Sequence, residues 1–397
     1  MAVSRLNIVH ICDHLGWPGS RMHGVKRLFA WMIPRFDPSR YRVTLVSLRR
    51  KDLSADTLEE FGIEVDYLGR SKFDPATWPD LLKLLDRKGT DLVHLHGYGA
   101  TTFGRLAAAQ RRWPVVLHEH ANHTTTPWFQ QLTDHALAPF TDIAIAVSKS
   151  TAGFVINARK IPAERVKVVY LGAPLEEFSR PRTPAEIAAA REALGVAGEA
   201  PVVGTVTRLM PSKGNQHLVD AVALLAARDP ATRFVIVGEG ELREELEAQA
   251  RRLGIADRLV FAGFQRDVAA AYSAFDVAVF PSLWEGTPLT AFEALAMGKP
   301  IASTDADGLS DILTPGVDAL VVPRRDAPAL AGAIRTLLDD APARARLGEA
   351  ARATGQRYGI DRFVRRMEGL YDLLHATSRA TKRRGVLEAD LGFLTEA

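Results

Sequence analysis

The chain has 397 residues, of which 47% are hydrophobic and 24% charged, a balance that excludes a disordered chain; it is long enough for two hydrophobic cores, because single cores stop growing near roughly 250–300 residues. A formal net charge of +3, with a pI near 9.0, is too small a surplus to make nucleic acid an expected partner. No apolar run approaches the roughly 18–20 residues that span a bilayer, and the single cysteine, Cys12, allows no internal disulfide and reads as a core residue, so the expected compartment is the cytoplasm.

Apolar, β-branched runs predict strands at Asn7–Ile11, Val43–Leu48, Glu64–Leu68, Asp91–Leu95, Pro114–Leu117, Asp142–Val147 and Val166–Tyr170, with helical stretches between them. Such alternation predicts a parallel sheet covered on both faces. After the first strand, Asp13 to Arg27 form a loop with Gly16, Gly19 and Gly24 that leads into a helix. These glycines are too far apart for the Gly-x-Gly-x-x-Gly of dinucleotide enzymes. Arg21, Lys26 and Arg27 stand beside Leu28, Phe29, Trp31, Met32 and Ile33. That mixture fits peripheral contact with an anionic membrane at its inner face, or a helix packed on its own sheet with basic residues outside.

Histidines gather at two strand ends, His94-Leu-His96 and His118-Glu-His120. Residues two apart on a strand face the same way, so His118 and His120 form a metal pair on paper, with Glu119 or His94 beside them. No further ligand group at zinc-like spacing accompanies them, and no metal is expected. The plainer reading is rings satisfied by backbone carbonyls at a sheet edge.

Ser179-Arg-Pro-Arg-Thr-Pro184 is a polar, proline-punctuated linker into a helix at Ala185–Leu194, dividing the chain into domains 1–180 and 181–360. In the second, Val202-Val-Gly-Thr-Val206 reads as a strand running into a loop with Arg208 and Lys213, two cations able to neutralise two phosphates. Strands follow at Arg233–Val237, Arg258–Ala262, Asp276–Phe280 and Pro300–Ser303, with Gly238, Gly240 and Gly263 read as turn residues. Glu285 falls on the loop after Asp276–Phe280, and Glu293 falls in a helix over Ala291–Met297 that Gly298 and Pro300 stop. Ligands of open parallel sheets bind at such strand ends, where carboxylates would repel bare phosphate and suit hydroxyls. Asp305-Ala-Asp307 reads as turn chemistry. Phe363, Val364, Met367, Leu370, Leu373 and Leu374 mark a C-terminal helix.

The Glu285-x7-Glu293 pair, followed by Met297-Gly-Lys-Pro300, resembles the signature of the retaining GT-B glycosyltransferases of family GT4. Arg208-Leu…Lys213-Gly214 is similar to that family's Gly-Arg-Leu…Lys-Gly stretch, with Thr207 where glycine is usual. The resemblance implies an α/β chain of GT-B fold: two Rossmann-like, doubly wound parallel-sheet domains with an interdomain cleft. It further implies that the helix over 361–376 crosses back to the first domain; the tail over 377–397 reads from its own residues as loosely ordered. By the same resemblance, a sugar moves from a nucleotide donor, UDP- or GDP-sugar, to a hydroxyl of a glycan, lipid-linked or small-molecule acceptor, with retention and without a metal or other cofactor. Glu285 would bond donor-sugar hydroxyls and Glu293 the ribose, while Gly286, Thr287, Pro288 and Leu289 would bring backbone N–H groups to the pyrophosphate. Arg208 and Lys213 would stabilise the departing diphosphate, and Gly19 and Gly24 would face the donor phosphates. His120, with His118 as the other register, would lie by the transferred sugar. Other readings are a sugar-nucleotide epimerase, a phosphorylase, for which no pyridoxal-binding lysine is legible, or a catalytically silent scaffold.

Overall fold

A computed structural model describes residues 5–16, 22–51, 56–122, 127–196, 198–229, 231–379 and 391–395. The chain forms two compact units, Met1–Tyr170 with Ile360–Ala397, and Leu171–Gly359.

The first unit holds seven strands: β1 Leu6–Cys12, β2 Tyr41–Ser47, β3 Val65–Tyr67, β4 Leu92–His96, β5 Val115–Glu119, β6 Ile143–Ala146 and β7 Val166–Val168. They pair in parallel in the order β3-β2-β1-β4-β5-β6-β7. One face of the sheet packs Val9, Ile11, Val93 and Leu95 against the helices Thr77–Arg87 and Tyr98–Arg111. Because side chains alternate across a strand, His10, His94, His96 and His118 share the opposite face, with Phe29, Phe363 and Tyr371 against them. The helix Gly24–Met32 and the C-terminal helix Ile360–Arg379 supply those aromatics. Lys26, Leu28, Phe29, Trp31 and Met32 are buried there, so the mixed basic and apolar stretch spends its apolar side chains on its own core. Arg21 lies outside the described residues. Among the described residues no helix is long and apolar enough to cross a membrane.

The second unit holds β8 Val202–Val206, β9 Arg233–Val237, β10 Leu259–Gly263, β11 Val277–Phe280, β12 Ile301–Thr304 and β13 Leu320–Val322, parallel in the order β10-β9-β8-β11-β12-β13. Both sheets are thus doubly wound α/β, as expected. β13 was not among the expected strands; three residues at a sheet edge carry too short an apolar run to stand out. The helix Pro184–Ala193 begins on a capping box, in which Thr183 and Glu186 each satisfy the other's backbone N–H. In the expected loose tail, 380–390 and 396–397 lie outside the described residues. Gly392–Leu394 nevertheless form a short 3-10 turn with Leu394 buried, because the two leucines of Leu391-Gly-Phe-Leu394 have apolar surface to cover.

Candidate active site

In the second sheet the winding reverses between β8 and β11, which are direct neighbours. The loops leaving the carboxyl ends of two such strands form the usual ligand crevice of a doubly wound sheet. The β8 loop carries Arg208 and Lys213, and the β11 loop carries Glu285.

Close backbone approach, which only glycine permits, joins these loops. Gly214 has φ +63°, and a Cβ there would lie 2.0 Å from the carbonyl oxygen of Pro281. Beside it, the N–H of Leu283 donates to the Ser212 carbonyl at 2.8 Å. Lys213 is thereby brought to Glu285, its Nζ 2.5 Å from Oε1 and 2.7 Å from Oε2, while the Ser282 hydroxyl donates to the same Oε1 at 2.7 Å. Glu285 is only 8% exposed, and the Lys213 and Ser282 donors offset the cost of burying its carboxylate.

Gly238 and Gly240 have a role beyond that of turn residues. Added Cβ atoms would meet the carbonyl oxygens of Thr207 and Leu209 at 1.8 and 2.3 Å, so the β9 loop presses directly on the backbone either side of Arg208. Asn215 Nδ2 donates to the Arg208 carbonyl at 3.1 Å and holds it from the other side. Among the described residues the Arg208 guanidinium makes no hydrogen bond or ion pair of its own. Burial pushes its pKa down, and the nearby Glu285 and Glu241 carboxylates push it back up. A partly buried cation without a bound partner is a ready anion site.

Gly286, Thr287, Pro288 and Leu289 are buried and lead into the helix Leu289–Ala296, whose N-terminus has no side-chain cap. Glu293, in the second turn of that helix, is wholly buried. Gly308 closes the loop from behind, where a Cβ would lie 1.3 Å from the Gly286 carbonyl oxygen. Arg324, a residue with no signal in the sequence, donates to the Leu283 carbonyl at 2.8 Å and to Asp305 and Asp307, each at 3.1 Å. Both aspartates of Asp305-Ala-Asp307 are thus committed to a buttress of the loop.

In the first unit, Gly24 is the first residue of its helix, with nothing within 4 Å of an added Cβ, while Gly19 lies outside the described residues. Asp13 is a residue the sequence reading passed over. Its carboxylate accepts from the N–H groups of Gly99 at 3.1 Å and Ala100 at 2.6 Å, capping the helix after β4. Glu119 points away from the histidines and pairs with Arg159, which together with Arg105 also holds Asp134 in a buried four-charge network.

The histidines hydrogen-bond to one another and to Tyr371, which neither the carbonyl reading nor the metal reading anticipated. His96 Nδ1 lies 2.8 Å from His120 Nε2, and His94 Nε2 lies 3.2 Å from His118 Nδ1. His10 and Tyr371 join them. Ring nitrogens of His96, His118 and His120 lie within 4.8 Å of one another, as do those of His10, His94 and His96. Within these triads, hydrogen-bonded nitrogen pairs at 2.8–3.0 Å already link His96 to His120 and to His10. Burial lowers the pKa of every one of these rings, to about 3 for His10 and His120, and keeps them neutral.

Residues 186–354 match the family described as Glycosyl transferases group 1, and residues 22–177 match Glycosyltransferase Family 4. The chain is 30% identical over 310 residues to an alpha-D-kanosaminyltransferase of Streptomyces kanamyceticus, covering 73% of this chain and 79% of that protein. It belongs to the GT4-type glycosyltransferases of GT-B fold. A D-inositol 3-phosphate glycosyltransferase of Xylanimonas cellulosilytica is also 30% identical, over 74% of this chain and 73% of that one. Anabaena HepE, solved in complex with UDP, shares the fold with a TM-score of 0.80 at 24% identity, over 92% of this glycosyltransferase and all of HepE. The two loops built around Lys213 and Glu285 thus lie in the second unit of a transferase, within the group 1 match.

Proposed function

We propose that this glycosyltransferase takes its sugar from a nucleoside diphosphate donor held in the second unit, passes it to an acceptor hydroxyl with retention of configuration, and needs no metal. The observation that carries the reading is Arg208, whose guanidinium has no hydrogen bond or ion pair among the described residues, beside the Lys213–Glu285 pair at the winding reversal. Breaking the glycosidic bond leaves growing negative charge on the diphosphate. Arg208 and Lys213 supply positive charge there, with the uncapped N-terminus of the helix Leu289–Ala296 nearby, the service a divalent cation performs elsewhere. Glu285 faces the same loop and accepts hydrogen bonds from sugar hydroxyls. Glu293 accepts from the nucleotide ribose. The backbone from Gly286 to Leu289 runs along the pyrophosphate, and Gly24 contributes the glycine loop of the first unit. His120 donates a hydrogen bond to the transferred sugar and removes no proton. Retention follows from attack on the face the diphosphate leaves, with a phosphate oxygen taking the acceptor proton.

HepE binds UDP, which makes UDP the first nucleotide to try and GDP the second. Calorimetric titration of the protein with each, with and without EDTA, tests the reading. Tight binding of one nucleotide in EDTA is expected. Binding that vanishes in EDTA overturns the metal-free transfer, and failure to bind either nucleotide overturns the donor site. The anomeric configuration of the product, read by NMR, decides retention. The acceptor is a glycan, a lipid-linked sugar or a small molecule; the helix Gly24–Met32 buries the apolar face that a membrane would need.

A further inference from the structure

On one face of the first sheet, five imidazoles and one phenol form a single unbranched chain. His118 Nδ1 meets His94 Nε2 at 3.2 Å, and His94 Nδ1 meets the Tyr371 hydroxyl at 2.7 Å. That hydroxyl meets His10 Nε2 at 3.2 Å. His10 Nδ1 then meets His96 Nε2 at 3.0 Å, and His96 Nδ1 meets His120 Nε2 at 2.8 Å. Every ring between the two ends uses both of its nitrogens.

Proton positions follow from counting donors. A neutral imidazole has one N–H and one bare nitrogen, and burial keeps Tyr371 protonated. Among the described residues the buried Tyr371 hydroxyl meets only His94 and His10, so it accepts from one and donates to the other, and fixing the donor in one link fixes it in all five. Two arrangements remain. If His118 donates, every bond runs toward His120, whose Nε2 accepts and whose proton sits on Nδ1. If His120 donates from Nε2, every bond runs the other way, and His118 must carry its proton on Nε2.

The end of the chain decides between them. His118 Nε2 is buried and has no hydrogen-bond partner among the described residues. A buried N–H without an acceptor is the rarer and costlier defect; an acceptor lacking a donor is better tolerated. The first arrangement is therefore favoured. His120 is the partly exposed end, so its Nδ1–H is the one donor the chain delivers to the surface.

We infer that His118, His94, Tyr371, His10 and His96 are positioning residues that lock His120 as the neutral Nδ1–H tautomer, a fixed hydrogen-bond donor that cannot act as a base through that nitrogen. The catalytic consequence rests on the proposed role of His120 at the sugar; the tautomer itself does not.

Long-range proton–nitrogen correlation spectra of the nitrogen-15-labelled protein, with His120 assigned by His120→Gln, read the tautomer directly. A protonated Nδ1 and bare Nε2 are expected. Tyr371→Phe keeps the ring and cuts the chain at its centre, so the His120 signals should move toward a mixture of tautomers. His118→Phe, which removes the end that sets the direction, should do the same if Tyr371→Phe folds poorly. In either variant kcat should fall roughly tenfold with donor KM unchanged, a part of what removing a transition-state donor costs. A His120 protonated on Nε2 in the unaltered protein, signals unmoved by both substitutions, or a stoichiometric transition metal on these rings overturns the inference. Moved signals with unchanged kcat leave the tautomer lock standing and remove His120 from the transfer step.

Discussion

The ammonium of Lys213 lies 2.5 and 2.7 Å from the two carboxylate oxygens of Glu285, 72 residues further along the chain. Each charge makes the other tolerable in a largely buried loop pair, so neither residue is free to change alone.

Lys213→Ala should therefore do two things. Transfer should slow more than donor affinity weakens, because the charge Lys213 meets grows toward the transition state. Stability should also drop by about 2–3 kcal/mol, since Glu285 is left buried without its cation. Adding Glu285→Gln should restore most of the stability and none of the activity. Chemical unfolding of the two variants checks this; a double variant no more stable than Lys213→Ala would mean that the pair is not the source of the loss.

Glu293 has no solvent to turn to, since its side chain is wholly buried. If its carboxylate accepts ribose hydroxyls, Glu293→Gln keeps the shape and removes the charge, and nucleotide binding should weaken by about 1.5–3 kcal/mol. Calorimetry on the folded variant measures it. Unchanged affinity would reassign Glu293 to the core of its helix.

Gly214 and Gly62 both have positive φ, +63° and +70°, but only Gly214 faces a carbonyl at clashing distance. Gly62→Ala should cost only the left-handed penalty of about 1–2 kcal/mol. Gly214→Ala should cost more and separate Lys213 from Glu285, lowering donor affinity and turnover together. Similar stability losses in the two variants, with donor binding intact in Gly214→Ala, would mean that the loops do not depend on the close approach.

Stability should fall in acid, and the sign follows from the histidines. His10, His94, His96 and His118 are buried with pKa values pushed below the ordinary 6.5, so the unfolded chain binds protons that the folded one refuses. Their contribution is complete above about pH 6.5 and is lost as pH falls toward the folded values, about 3 for His10. Each ring adds up to about 1.4 kcal/mol per pH unit within that window. Urea unfolding at pH 7.5 and 5.5 should show a steep loss, and His10→Phe should flatten it by up to one proton. Equal stability at the two pH values would show that the rings are charged or solvated in the folded protein.

Much of this was determined along the chain itself. Periodic apolar runs settle strand against helix locally, so the two α/β sheets were legible, and so were the loops holding Arg208, Lys213 and Glu285, because each follows directly on a strand, and the helix holding Glu293 that comes next. Tertiary structure alone decided which of those groups meet. Spacing says nothing of the 2.5 Å between Lys213 and Glu285, which depends on Gly214 lying against the Pro281 carbonyl. Nor does it show that Arg324 braces the same loop, or that Tyr371 on the last helix lies between His10 and His94. Local periodicity reads the face a side chain takes; which distant side chain lies opposite depends on sheet order and helix packing, and 361 residues separate His10 from Tyr371.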